Sequence, residues 1–99
     1  MNEEFEAVFI IKDYKDSEKM TLIMKKIDEI VSTEGFEISK RMFYGARRLA
    51  YEIEKEKTGY YYIIRFKDNC KKKNAKAKVE KNINTVEEVL KFIIIKCEN

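Results

Sequence analysis

The spacing of apolar residues switches between a period of two and a period near 3.6 along this chain, and the order of the switches limits the fold. Alternation predicts strands at residues 5–12, 36–53, 60–67 and 89–96, with a helix after the first strand and another after the third. This β-α-β-β-α-β order favours the ferredoxin-like split βαβ fold of the α+β class. We therefore expect a four-stranded antiparallel sheet with two helices on one face.

The helices are recognised by capping residues and buried stripes. Asp16 and Ser17 can accept hydrogen bonds from free N–H groups at the start of the first helix, and Gly35 can adopt the left-handed conformation after its end. Asp68 or Asn69 is the expected cap of the second helix, which runs through about residue 82. The apolar stripes are Met20, Ile23, Met24, Ile27, Ile30 and Val31 in the first helix, and Ala75, Val79 and Ile83 in the second.

The strands carry further detail. Apolar residues on both faces of the first strand predict a central position in the sheet. Gly45 interrupts the second strand and predicts a bulge or bend before the strand resumes at residues 48–53. Residues 54–59 are a predicted polar turn that ends in Gly59. Alternation at the start of the second strand places Phe36, Ile38 and Met42 opposite Glu37, Ser39 and Arg41.

Size and composition narrow the class of protein. The 99 residues fit one domain, residues 1–99, because so short a chain cannot bury two separate cores. The longest apolar runs, residues 8–11 and 92–95, are far shorter than the roughly 20 residues that cross a bilayer. Since the first residues do not begin a secretory signal, we expect a cytoplasmic protein with reduced thiols at Cys70 and Cys97.

Catalysis has little support in the sequence. The chain contains no His, no Gly-rich phosphate loop and no carboxylate-rich metal motif. Cys70 and Cys97 lack the spacing of metal ligands. We therefore expect no enzymatic activity, no cofactor, no metal and no small-molecule substrate.

The net charge of +3 hides an asymmetry. Residues 1–39 contain 5 Lys or Arg and 10 Asp or Glu, whereas residues 40–99 contain 16 and 8. A basic second half indicates a surface directed toward a polyanion, although solubility alone also explains such a charge.

Two groups of basic residues are candidates for phosphate contacts. Arg47 and Arg48 are adjacent on a strand, so their side chains should point to opposite sides, and the planar guanidinium suits paired hydrogen bonds to phosphate. A decorated strand that resists aggregation is the alternative. The lysines of the second helix either attract phosphate diffusely or keep the helix solvated: Lys71, Lys72, Lys73, Lys76, Lys78 and Lys81.

The third strand supports a rival interpretation. Residues 59–63, GYYYI, look similar to the aromatic RNA-stacking motif of RRM domains, which share the ferredoxin-like fold. The match is partial, because Tyr61 occupies the slot of a small residue and Arg65 that of an aromatic one. A free-standing RRM-like module for single-stranded RNA would stack bases on Tyr60, Tyr62 and Phe9.

The most specific motif is the sequence YGARRLAYEIEK at residues 44–55, followed by TGYY at residues 58–61. It strongly resembles the bacterial small-subunit ribosomal protein S6 family, whose pattern is G-x-R-R-L-A-Y-x-I-x-K and then a short turn with G-Y and an aromatic residue. Residues 5–10 resemble the first strand of that family and residues 89–96 its last strand. The resemblance covers almost the whole chain.

The resemblance implies a structural, RNA-bound role on the platform of the small ribosomal subunit in the cytoplasm. Family members bind ribosomal RNA cooperatively with ribosomal protein S18, as a heterodimer. Arg47 and Arg48 match the paired arginines of the family, and Tyr51 matches its aromatic residue. The chain departs from the family at Glu52, where Pro is usual, and stops at Asn99, where many members continue into a charged tail that can contact the partner.

Two sets of site residues follow. The predicted ribosomal RNA contacts, which position phosphates, are Arg47, Arg48, Lys40, Arg41, Lys72 and Lys76. Because two helices can cover only one face of the sheet, apolar residues of the other face should form an exposed patch. That patch and the long second strand are the predicted docking face for S18: Tyr51, Tyr61, Ile63, Val8 and Ile10.

Overall fold

The structure, a computed structural model, describes residues 3–69 and 73–97. Its elements are β1 (Glu4–Ile11), α1 (Ser17–Thr33), β2 (Phe36–Ile53), β3 (Glu56–Asp68), α2 (Ala75–Ile83) and β4 (Val89–Cys97). The strands form one sheet in the order β2-β3-β1-β4, and every neighbouring pair is antiparallel. The predicted element order, the antiparallel sheet and the central position of β1 are confirmed.

The hydrophobic core lies on one face of the sheet. In β1, Phe9 is fully buried and pairs with Tyr62 on one side and Phe92 on the other. Side chains of both helices belong to the same buried cluster as these strand residues, including Ile27 from α1 and Val79 from α2. Both helices therefore cover the same face of the sheet, as predicted.

The first helix begins and ends where its capping residues predict. The Asp16 carboxylate accepts hydrogen bonds from the backbone N–H groups of Glu18 and Lys19 at 3.0 and 3.2 Å. Gly35, with φ of +90°, donates its N–H to the carbonyl oxygen of Ser32. Of the predicted stripe, Met20, Ile23, Ile27 and Val31 are buried, whereas Met24 and Ile30 are half-buried at the margin of the core.

The predicted cap of the second helix was wrong. Asp68 remains in β3, where it pairs with Phe36 and donates its N–H to the carbonyl oxygen of Glu3. The side-chain nitrogen of Asn69 donates a hydrogen bond to the Glu37 carboxylate of β2. The helix begins only at Ala75, after a left-handed Asn74 whose side chain makes no capping hydrogen bond.

The predicted turn at residues 54–59 is longer than the observed one. β2 ends at Ile53 as predicted, but β3 begins at Glu56, four residues before the predicted start at Tyr60. The hairpin closes in two residues, Glu54 and Lys55, with φ of +48° and +68°. Two positive φ angles match the twist of a two-residue hairpin. Gly59 lies inside β3, where a Cβ atom would be 2.5 Å from Cγ2 of Ile10. Close packing, not the turn, requires glycine there.

Two irregularities in β2 change which residues share a face. The predicted bulge at Gly45 is confirmed by a register shift after Phe43 and by a φ of +78°. An earlier shift, between Ile38 and Lys40, was not predicted. It places Arg41 opposite Ile64 on the helix side and Met42 opposite Ile63 on the other side, which reverses the expected alternation.

Within residues 3–69 and 73–97, no helix combines the length and the apolar composition needed to cross a membrane.

Candidate protein and RNA interface

The face of the sheet opposite the helices, which we call the open face, retains exposed apolar side chains. Ile93 and Ile95 of β4 are 54% and 50% exposed. Tyr61 and Ile63 of β3 pair with Ile10 and Val8 of β1 in register, and all four are half-buried. Ile63, Val8, Ile10 and Tyr61, predicted as part of a partner face, therefore lie side by side.

A groove of about 260 Å³ occupies the centre of this face. The end of β2 after the Gly45 bulge contributes to its lining, and Cδ2 of Leu49 would lie 3.3 Å from a Cβ atom on Gly59. The side chains that line the groove come from all four strands and include Val8, Ile10, Leu49, Tyr51, Tyr61 and Ile93.

Tyr51 closes one side of the groove. β2 and β4 are the two edge strands, yet the ammonium group of Lys91 on β4 donates a hydrogen bond to the hydroxyl group of Tyr51 at 3.1 Å. The same ammonium lies 5.8 Å from the centre of the Tyr51 ring. Tyr51 itself is 64% exposed. The contact thus joins opposite edges of the sheet above an apolar floor.

The other end of the open face is ionic. The guanidinium of Arg65 donates to the Glu6 carboxylate at 3.1 Å and lies 3.8 Å from the Glu4 carboxylate. The hydrogen bond to Glu6 raises the pKa of Arg65 above its ordinary value. These charges are neutralised within the chain, so the apolar groove and the ionic end differ in what they offer to a partner.

Three of the predicted RNA contacts lie exposed along β2. Lys40 pairs with Arg65 and Arg47 pairs with Gly59, which places both side chains on the open face. Arg48 pairs with Thr58 and points to the other side, as expected for neighbouring residues of a strand. None of the three forms an ion pair with another residue in the part of the chain that the structure describes.

Arg41, the fourth predicted contact on β2, is separated from them. Its Nε atom donates to the Asp28 carboxylate of α1 at 2.9 Å, and the hydroxyl group of Tyr62 donates to the other oxygen of Asp28 at 2.7 Å. The hydrogen bond to Asp28 raises the pKa of Arg41. Burial, and then the same carboxylate, raises the pKa of Tyr62. This network ties α1 to β2 and β3 on the helix side.

The lysines of α2 also lie away from the groove. Lys76 is exposed and forms an ion pair of 3.9 Å with Glu80, one helical turn later. Lys73, Lys78 and Lys81 are exposed. Lys72, with Cys70 and Lys71, is outside the described residues.

The rival RRM-like interpretation conflicts with the structure. Phe9 and Tyr62 are fully buried beneath the helices, and Tyr60 is half-buried on the same side. An RRM stacks bases on aromatic rings of an accessible sheet surface. Those three rings cannot stack on nucleobases while the helices cover them, so this prediction was wrong.

Two groove residues were missed by sequence reasoning, although alternation contained a signal for both. Leu49 lies between Arg47 and Tyr51 at a spacing of two, which places it on their face. Lys91 precedes Ile93 and Ile95 at the same spacing. Among the described residues, no group of three His, Cys, Asp or Glu could hold a metal ion.

Comparison with known proteins gives matches over nearly the whole chain. The sequence profile of a family described as "Ribosomal protein S6" matches residues 4–96. The small ribosomal subunit protein bS6 of Campylobacter lari is 34% identical over 95 residues, which are 96% of this chain and 74% of that protein. The protein of the same name from Desulforamulus reducens is 34% identical over 92 residues, which are 93% of this chain and 94% of that protein.

The fold is also found among solved structures. The crystal structure of 30S ribosomal protein S6 from Thermotoga maritima superimposes with a TM-score of 0.86 at 22% sequence identity. The match covers 98% of this chain and 89% of that chain. At 22% sequence identity this structural similarity supports the fold alone.

Proposed function

This chain belongs to the ribosomal protein S6 family, and we propose that it binds small-subunit ribosomal RNA jointly with ribosomal protein S18 on the platform of the subunit. Membership makes the chain a structural constituent of the small ribosomal subunit, which places it on ribosomes in the cytoplasm. The proposal includes a heterodimer with S18 and excludes a catalytic role, a cofactor and a small-molecule substrate.

The observation that carries the S18 proposal is the groove of the open face. Apolar side chains that stay exposed on one contiguous surface usually mark an interaction site. The groove is apolar at its floor, has Tyr51 at its side and joins all four strands, so its shape does not depend on a mobile loop. Tyrosine combines a large apolar ring with a polar group and is a common anchor of protein interfaces.

The RNA proposal rests on Arg47, Arg48 and Lys40. All three are exposed on the edge strand whose end forms the side of the groove. A partner in the groove would lie next to Arg47, which shares the open face, whereas Arg48 points to the other side and Lys40 lies farther along β2, opposite Arg65. RNA that follows the β2 edge could then contact these side chains and the partner. In this proposal the three side chains contact phosphates, which carry no sequence information, so this chain would position RNA and contribute little to sequence preference.

Arg41 and Lys76 are weaker members of the RNA proposal. Arg41 is held by Asp28, and Lys76 lies on a helix that covers the other face. Each would contact phosphate only on a surface separate from the groove. We therefore assign the main RNA contact to β2.

The test replaces Arg47 and Arg48 together by alanine. The matched control replaces Lys25 and Lys26, two exposed lysines of α1, so that the loss of charge is the same. Binding of the chain with S18 to small-subunit ribosomal RNA is measured at several salt concentrations. We expect the slope of log affinity against log salt to fall by about one for each lost phosphate contact in the β2 variant alone. An unchanged slope in that variant would remove the two arginines from the proposal.

A second measurement tests the assignment as a whole. Small subunits are sedimented from lysate after a wash at high salt, and the chain is detected in the pellet. A structural constituent stays with the subunit, whereas a protein held only by diffuse charge is released, because salt screens such attraction. Complete release of the wild-type chain would contradict the proposed role.

A further inference from the structure

The groove of the open face combines an apolar interior with one charged side chain at its rim. Its volume of about 260 Å³ exceeds the roughly 150 Å³ in which a protein cavity holds benzene. It therefore has room for one large aliphatic or aromatic side chain. Lys91 is the charged residue among those that line it.

Lys91 differs from Arg65, which lies on the same face of the sheet. Arg65 has the carboxylates of Glu4 and Glu6 within 4 Å. Within residues 3–69 and 73–97, no carboxylate forms an ion pair with Lys91, and its ammonium group donates to the hydroxyl group of Tyr51. A tyrosine hydroxyl group orients the ammonium but does not neutralise it.

Covering Lys91 has an energetic consequence that restricts the partner. A partner segment seated in the groove would remove water from the ammonium group, and a charge that loses water without a counter-charge is strongly disfavoured. A segment that also supplies a carboxylate near the rim replaces that water with an ion pair. Charge complementarity therefore selects among apolar segments that would otherwise fit the groove equally well.

We propose that the groove takes a segment of the protein partner in which a large apolar side chain stands next to an acidic side chain, and that Lys91, oriented by Tyr51, receives the acidic group. The proposal rests on the proposed function, since the partner is the protein that docks on this face. It makes Lys91 a specificity determinant of the interface: segments with an apolar residue and a basic or neutral neighbour bind more weakly.

The experiment measures the dissociation constant of the complex between the full chain and S18 without RNA, by calorimetry or sedimentation. Lys91→Met removes the charge, Lys91→Glu reverses it, and Lys26→Glu on the exposed side of α1 is the control with the same change in net charge. We expect a dissociation constant raised several-fold by Lys91→Met, raised about tenfold or more by Lys91→Glu, and unchanged within twofold by the control. Replacing the matching acidic residue of the partner by lysine should restore binding to Lys91→Glu.

The outcomes separate this proposal from the one on which it rests. If the wild-type chain forms no complex with S18, the proposed function fails and this proposal fails with it. If the complex forms and both Lys91 variants bind within twofold of wild type, this proposal alone is overturned. Tighter binding by Lys91→Glu, a loss confined to RNA binding, or a dimer of this chain that the Lys91 variants abolish would each overturn it, because each assigns a different occupant to the groove.

Discussion

The two faces of the sheet are made of the same strands, yet they differ in how far their apolar side chains are buried. On the helix side, Phe9, Ile64 and Phe66 are fully buried under α1 and α2. On the open face, Ile93 and Ile95 remain about half exposed although they are equally apolar. One face is thus buried within the chain, and the other leaves apolar side chains available to a surface from outside it.

Asp28 on the helix side and Lys91 at the rim of the groove show the same difference. On the helix side, Asp28 receives hydrogen bonds from both Tyr62 and Arg41, so the network is closed within the chain. On the open face, Lys91 has a hydroxyl partner but no carboxylate among the described residues. Substitutions on the helix side should therefore affect folding, and substitutions on the open face should affect association.

The largest expected effect separates the faces by stability. Ile27 is fully buried, so Ile27→Ala should lower the free energy of unfolding by about 2–5 kcal/mol. The control is Ile95→Ala on the open face, which should cost less than about 1 kcal/mol because half of that side chain is already in water. Urea denaturation of both variants measures the difference. Equal losses would mean that the two faces do not differ as described.

Gly59 tests how closely the strands pack beneath the groove. A methyl group there would approach Cγ2 of Ile10 to 2.5 Å, so Gly59→Ala should destabilise the fold by about 1–3 kcal/mol. Ile10→Ala removes that atom. In the Ile10→Ala background the added cost of Gly59→Ala should therefore be much smaller, and a double-mutant cycle in urea measures the coupling. Additive effects would show that the contact with Ile10 is not the cause.

Two tyrosines that are adjacent in β3 point to opposite faces and allow a matched comparison. Tyr62→Phe removes the hydrogen bond to the Asp28 carboxylate and should cost about 1–2 kcal/mol. Tyr61→Phe removes a hydroxyl group for which the described chain shows no hydrogen-bond partner, and its effect on folding should be close to zero. Thermal or urea unfolding of the two variants measures both losses of stability. A larger loss for Tyr61→Phe would be inconsistent with the network.

The same tyrosine predicts a small pH dependence. Burial, with the Asp28 carboxylate, raises the pKa of Tyr62 in the folded protein above its ordinary value of about 10. The folded chain keeps the phenolic proton where the unfolded chain releases it. The contribution of Tyr62 to the free energy of unfolding should therefore be fully present below pH 10. Above pH 10 the free energy of unfolding should fall by at most about 1.4 kcal/mol per pH unit because of this group. Tyr62→Phe should flatten that decline, and an identical pH profile in the variant would refute the assignment.

Sequence reasoning succeeded where a pattern depends on neighbours along the chain. The stripe of Ile27 and Val31 predicted α1, and the alternation of β1 predicted a central strand with two different faces. It failed where position depends on contacts between distant segments. Asp68 looks like a cap, but pairing with Phe36 keeps it in β3.

The candidate site shows the same limit. Tyr51, Tyr61, Val8 and Ile10 were predicted to share a face, and they line one groove. Arg41 was predicted to contact RNA together with Lys40, but the structure holds it on the helix side. The register shift before Lys40 arises from the pairing of β2 with β3, and the alternation of β2 alone does not reveal it. The contact between Lys91 and Tyr51 joins residues 40 positions apart. A single sequence indicates the face of each side chain but not this contact.

The most direct test of the central claim, that the open face is where S18 docks, compares two exposed aliphatic residues on opposite sides of the molecule. Ile93 on the open face is 54% exposed, and Leu22 on α1 is 65% exposed. Each is replaced by aspartate, circular dichroism verifies the fold, and sedimentation velocity measures the complex with S18. The account predicts that Ile93→Asp abolishes the complex and that Leu22→Asp leaves it intact. A complex that survives Ile93→Asp, or that is lost only with Leu22→Asp, would contradict it.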